Sequence, residues 1–274
     1  MPEQSTETVI RTLDGLKLRA TVTAPPTPVE QAVLLVHGGG VTREEGGFFG
    51  RLADGLAEAG VATLRYDLRG HGESDGRPEE SSLAAHLNDI RVARDHLREV
   101  SGAQVVNLLG TSFGGGLAAY YAAKRPEGLT RLVLLNPQLN YKNRYIDQKP
   151  YWSGDFLDAA KAQELADRGF IDHSPTVQHS RAFLNEVFWI RPNEVLGEIT
   201  APTLIVHGTK DTFVPIEASR AAVREFRAER RLVEIEGAQH GFAVHEDPEY
   251  RDPQTQEWQA FVIRTVAEWF TETP

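Results

Sequence analysis

The sequence predicts an α/β fold, with one mostly parallel, eight-stranded sheet and helices on both of its faces. Three patterns carry that expectation. Six short apolar runs, at 32–36, 62–66, 105–109, 132–135, 203–206 and 232–235, are bounded by Gly, Pro or Asn, as strands buried on both faces are. Longer stretches of helical period alternate with them, the order expected when crossover helices join parallel strands. Ahead of the first run, segments 9–12 and 17–23 flank Asp14-Gly15, a turn dipeptide that reads as an antiparallel hairpin on the sheet edge.

The helices follow from periodicity. Leu83, Leu87, Ile90, Leu97 and Val100 recur at a spacing near 3.6 behind Ser82 as an N-cap, which predicts a helix over 83–100. Trp258, Phe261, Val262, Val266, Trp269 and Phe270 predict another near the end, packed on the sheet. Pro25-Pro26-Thr27-Pro28 reads as a surface connection rather than a domain linker. From 138 to 199 the alternation breaks, and a structureless loop of that length is unusual inside a compact domain. The expected organisation is therefore a core domain of residues 1–137 and 200–274 and an inserted cap at 138–199, with helices around 156–168 and 177–188. The cap holds nine of the chain's 23 aromatic residues, more than its share. Tyr145, Tyr151, Trp152 and Trp189 are its candidates for walls that bind substrate.

Composition excludes several functions. The formal charge is −10, from 29 Lys and Arg against 39 Asp and Glu, so nucleic acid is not an expected partner. The absence of cysteine removes disulfides, thiolate metal sites and a cysteine nucleophile. With no H-E-x-x-H or comparable ligand cluster, neither a metal nor another cofactor is expected. Residues 1–8 are polar and acidic, and nowhere do about 18 apolar residues stand together, so the expectation is a cytoplasmic protein off the membrane. No pattern specifies an oligomer, and a homodimer is compatible with the sequence.

Chemistry concentrates in three places. Gly110-Thr111-Ser112-Phe113-Gly114 follows the run 105–109 and leads into a helical segment ending near Lys124, before Pro126. That is the context of a nucleophile elbow, where small neighbours let strand and helix close around a strained serine. A serine hydroxyl needs a base to take its proton and an acid to orient that base. Asp211, in Gly208-Thr209-Lys210-Asp211, and His240, in Gly237-Ala238-Gln239-His240-Gly241, each lie just past a predicted strand. All three then emerge at the carboxyl edge of the sheet in the order Ser, acid, His. His37, His71, His207 and His245 read as structural or loop residues, and Glu246 and Asp247 follow His240 and so break that order. His173 and His179 are expected chiefly at exposed helix positions of the cap, with pocket lining as the alternative. The oxyanion of a tetrahedral intermediate needs backbone donors. Phe113, after the serine, is one candidate, and Gly39 in His37-Gly38-Gly39-Gly40 is the other, with Gly38 and Gly40 left open.

On these motifs, together with Asp67-Leu68-Arg69-Gly70-His71-Gly72-Glu73-Ser74 and Gly208-x-x-Asp211-x-x-Val214-Pro215, the chain resembles the α/β-hydrolase family over nearly its whole length. The cap and the His37-Gly38-Gly39 loop are similar to the cinnamoyl or feruloyl esterase and related carboxylesterase branch. The resemblance implies a serine carboxylic-ester hydrolase working through a Ser112 acyl-enzyme on a small, apolar or aromatic acyl group. Its partner would be a small-molecule ester or thioester. The alternatives it leaves are a thioesterase or other acyl hydrolase or acyltransferase, a serine C–C hydrolase, and a hydrolase-like binding protein with little turnover.

Overall fold

The computed structural model describes residues 4–245 and 247–272. Of the positions discussed above, residues 1–3 and Glu246 lie outside the described residues. In chain order the elements begin β1 (Gln4–Arg11), β2 (Lys17–Ala24), β3 (Gln31–Val36), α1 (Phe48–Glu58), β4 (Ala62–Tyr66) and α2 (Leu83–Ser101). Next come β5 (Val105–Thr111), α3 (Ser112–Lys124) and β6 (Leu132–Leu135). The stretch that follows carries β7 (Trp152–Ser153), β8 (Phe156–Leu157), α4 (Ala159–Arg168), β9 (Phe170–Ser174), β10 (Val177–Ser180) and α5 (Arg181–Glu186). The main sheet then resumes with β11 (Thr203–Gly208), α6 (Ile216–Ala222), β12 (Arg230–Ile235) and α7 (Pro253–Thr271).

Eight strands form one sheet in the order β1-β2-β4-β3-β5-β6-β11-β12. β1 with β2 and β2 with β4 are antiparallel, and every pairing from β4 onward is parallel. The period of two along a strand divides the core between the faces. Val33 and Leu35 of β3 pack with Leu52, Val262 and Trp269 from α1 and α7, whereas Leu34 and Val36 pack with Ile90, Leu97 and Leu117 from α2 and α3. That double burial is why the six runs are apolar throughout. The chain leaves β3 toward β4 on one side and returns as β5 on the other. The crevice at the carboxyl ends of β3 and β5 is thus the switch point at which open α/β sheets bind ligands.

Local chemistry sets most element ends. Ser82 caps α2 by accepting from the Ala85 N–H at 3.2 Å, and Gly102, at φ +72°, closes it. Four expectations change. β1 begins at Gln4, so part of the polar start is an edge strand, fully registered on β2 and needing no apolar run. Phe261 is exposed on α7, because a neighbour of buried Val262 is turned about 100° away from the stripe. The helix expected around 156–168 starts only at Ala159, after β8, with Asp158 as its cap. The helix expected over 177–188 is instead strand β10 followed by the short α5. Pro175 falls in the turn ahead of it, flanked by β-branched Ile171, Thr176 and Val177, which favours a hairpin.

Candidate active site

β5 runs straight into α3, and Ser112 sits on the join at φ +48°, a left-handed conformation that costs a non-glycine residue energy. Close packing holds it there. A Cβ on Gly114 would lie 2.4 Å from the carbonyl oxygens of both Val36 and His37, so only glycine lets α3 approach the end of β3. The turn is also tied toward the next segment. The Gln138 N–H donates to the Ser112 carbonyl at 2.9 Å, and the Tyr141 hydroxyl donates to that of Phe113 at 2.5 Å.

Asp211 and His240 stand past the ends of β11 and β12. His240 Nδ1 donates to Asp211 Oδ2 at 2.6 Å, while Oδ1 accepts from the N–H groups of Phe213 and Val214 at 2.8 and 2.9 Å. Burial of this carboxyl would push its pKa up, but hydrogen bonds from His207 and His240 outweigh it and hold Asp211 well below the usual carboxylate range. A permanently ionised acceptor fixes the His240 proton on Nδ1 and leaves Nε2 free to accept.

The loop after β3 resolves which glycine is open. Gly38 donates its N–H to Glu45 Oε1 at 2.7 Å and Gly40 donates to His71 Nε2 at 3.3 Å, whereas Gly39 has no such partner among the described residues and faces the cavity. Phe113 lies in the first turn of α3, where no helical carbonyl claims the N–H. Ser112, Phe113, Gly39 and His240 line one cavity of about 480 Å³, within the range of small-molecule sites.

The sequence pattern of the family described as alpha/beta hydrolase fold matches residues 31–174, just over half of the chain. The chain belongs to that family. Its lipase and esterase-like relatives include a monoacylglycerol lipase of Mycolicibacterium smegmatis, 26% identical over 78% of this chain and 82% of that protein. Lipase LipV of Mycobacterium tuberculosis is 31% identical over 72% of this chain and 74% of its own length. Among solved structures, Est1E from Butyrivibrio proteoclasticus with bound ferulic acid superposes with a TM-score of 0.77 at 25% identity, covering 97% of this chain and all of the other.

The far wall of this α/β hydrolase's cavity comes from the stretch between β6 and β11. Tyr145, Phe183 and His179 form a ring cluster, with His179 stacked on Phe183 at 4.1 Å and Tyr145 edge-on to His179 at 4.6 Å. Of the four aromatic candidates, only Tyr145 lines the cavity. Tyr151 lies beneath Lys161, Trp152 packs on Phe188, and Trp189 is 84% exposed. His173 and His179 sit on the β9–β10 hairpin and face the cavity, not solvent-exposed helix positions. Burial, then Lys149 and Arg144, lowers His173 to about 4, and burial, then His173 and Lys149, holds His179 well below the ordinary imidazole value, so both are neutral near pH 7. The hairpin also reaches the glycine loop, since a Cβ on Gly40 would meet Thr176 Oγ1 at 2.7 Å.

His37 and His207 are structural. His37 Nε2 accepts from the Leu68 N–H at 2.9 Å and ties the glycine loop to the stretch after β4, while His207 is held by Ser219 and the Val214 carbonyl. His71, expected as a loop residue, lines the cavity as well as accepting from Gly40. Sequence reasoning missed Glu45, His86, Arg144 and Lys149. His86, Arg144 and Lys149 reach the cavity from a helix, a turn and a loop with no motif to mark them. Glu45 bears a weak signal, an acid a few residues beyond the glycine loop whose N–H it accepts. Among the described residues no helix is long and apolar enough to cross a membrane.

Proposed function

We propose that this α/β hydrolase is a serine esterase that cleaves a carboxylic ester with a small, apolar or aromatic acyl group. The carrying observation is His240 held on buried Asp211 at 2.6 Å while opening onto the same cavity as the strained Ser112. In this reading Ser112 Oγ attacks the carbonyl carbon as His240 Nε2 takes its proton, and the Gly39 and Phe113 N–H groups receive the oxyanion. The alcohol leaves with that proton. Water then attacks the acyl-enzyme through the same base, releasing acid and restoring Ser112.

The Phe113, Tyr145 and Phe183 rings supply the apolar wall for the acyl group, in keeping with ferulic acid as the ligand of Est1E. The stretch 138–199 acts as a cap that excludes water from acyl transfer. A panel of p-nitrophenyl esters of graded chain length and hydroxycinnamate methyl esters tests the reading. At least one ester should be hydrolysed, and Ser112→Ala should lower kcat by about 10⁴-fold or more. No turnover of any ester, with no labelling of Ser112 by a fluorophosphonate, would refute it.

A further inference from the structure

The part of the cavity wall built by the stretch between β6 and β11 holds a pair of positive charges without an ion pair among the described residues. Arg144, on the turn Asn143–Asp147, and Lys149, just beyond it, both line the cavity, and among the described residues no Asp or Glu does. Neither cation has an ion pair among the described residues, in a chain whose acids outnumber its bases by 39 to 29. Asp147 and Asp155, the acids nearest in sequence, both pair with Lys142, at 2.7 and 2.8 Å, and Asp172, beside His173, pairs with Arg168 at 2.7 Å.

Half-buried like charges cost stability unless something offsets them, and in an acidic protein an ionic partner was readily available. Burial and then Arg144 lower the Lys149 ammonium, and burial, Lys149 and Arg144 together lower His173. The same wall also presents an orphan polar atom, since His173 Nδ1 is buried without a hydrogen-bond partner. Two cations and an unused imidazole nitrogen around an otherwise aromatic space match an anionic group brought in by a ligand.

We infer that the cavity takes esters carrying a second, ionised carboxylate remote from the scissile bond, and that Arg144 and Lys149 bind that carboxylate. The inference rests on the serine-esterase reading for the reaction, but the anion site can be tested without turnover. Two matched pairs place the charge in either half of the ester. The acyl-side pair is 4-nitrophenyl hydrogen adipate and its methyl-capped diester. The alcohol-side pair is 4-(butanoyloxy)phenylacetate and its methyl ester.

For at least one pair, the ratio of kcat/KM for the anionic over the neutral ester should be roughly tenfold or more, carried mainly by KM. It should collapse to about one in Arg144→Gln/Lys149→Gln. In the unmodified protein, raising salt from about 0.02 to 0.5 M should lower the ratio several-fold, a readout that survives if the double variant fails to fold. Ratios at or below one for both pairs, a ratio indifferent to salt, or a ratio unchanged in the folded double variant would overturn the inference. Should no ester turn over, the esterase reading falls and calorimetry decides the anion site. Binding of monomethyl adipate to Ser112→Ala, lost on adding the two Gln substitutions, upholds it, and absence of binding to Ser112→Ala overturns it.

Discussion

The two walls of the cavity are built by different means. On the sheet side, Ser112, Phe113, Gly39 and His240 hang from strand ends and are fixed through main-chain atoms. The Gly114 contact with two carbonyl oxygens, the two N–H groups on Asp211 Oδ1 and the engaged N–H groups of Gly38 and Gly40 leave little freedom there. On the other wall, Tyr145, His173 and His179 stand on a short hairpin and a single turn, held to one another by ring contacts, and Arg144 stands on that turn. Reacting atoms need sub-ångström placement, which a sheet edge supplies, whereas discrimination between ligands needs only shape and charge.

Three perturbations sharpen that contrast. The largest effect should come from Asp211→Asn. The amide oxygen can keep both backbone N–H donors while its NH₂ group turns on His240, favouring the wrong tautomer. We expect kcat to fall by about 10⁴-fold with an unchanged melting temperature. A loss under tenfold in steady-state assays would show that Asp211 does not set the base.

The second perturbation is pH. Burial pushes the Glu45 carboxyl up to about 7 from an ordinary 4.5, against the opposing Gly38 hydrogen bond and His240 charge. Between those values the folded chain keeps a proton that the unfolded chain has released. Stability should therefore fall as pH rises through that window, by at most about 3 kcal/mol, and level off above it. Urea unfolding from pH 4.5 to 8 checks this, and Glu45→Gln should remove that part of the slope. An identical pH profile in the variant would mean Glu45 is ionised throughout.

The smallest effects separate two aromatic residues of the far wall's own stretch. Tyr145→Ala opens the cavity and should shift the kcat/KM ratio between short aliphatic and bulky aromatic esters by roughly tenfold. Trp189→Ala, at an exposed position, should leave the ratio within about twofold and stability within about 0.5 kcal/mol. Equal shifts in the two variants would place the acyl group elsewhere.

The same contrast explains what could be read from sequence. Strands buried on both faces, such as 32–36 and 105–109, need apolar residues at every position, so they announced themselves. The placement of Ser112, Asp211 and His240 at one sheet edge was legible because glycine-rich turns after strands bring side chains there. Gly39 could not be told from Gly38 and Gly40, because the distinction lies in which N–H meets Glu45 or His71. The far wall was harder still. An excess of aromatics does not say which way each ring points, so Trp189 and Tyr145 looked alike. Arg144 and Lys149 resemble any surface cations until the paired acids around them are seen to be occupied.

The stretch between β6 and β11 enters the main sheet only through its two ends, and this has an evolutionary consequence. Closing a longer loop costs entropy only as the logarithm of its length, so even doubling these roughly 60 residues would cost about 0.6 kcal/mol. Lengthening its exposed turns is therefore thermodynamically cheap so long as buried residues such as Tyr141 and Phe183 are kept, whereas a single added methyl at Gly114 is not. A lineage can rewrite what the cavity accepts by changing the length and composition of one segment, while the strand ends that hold Ser112, Asp211 and His240 pass on unaltered.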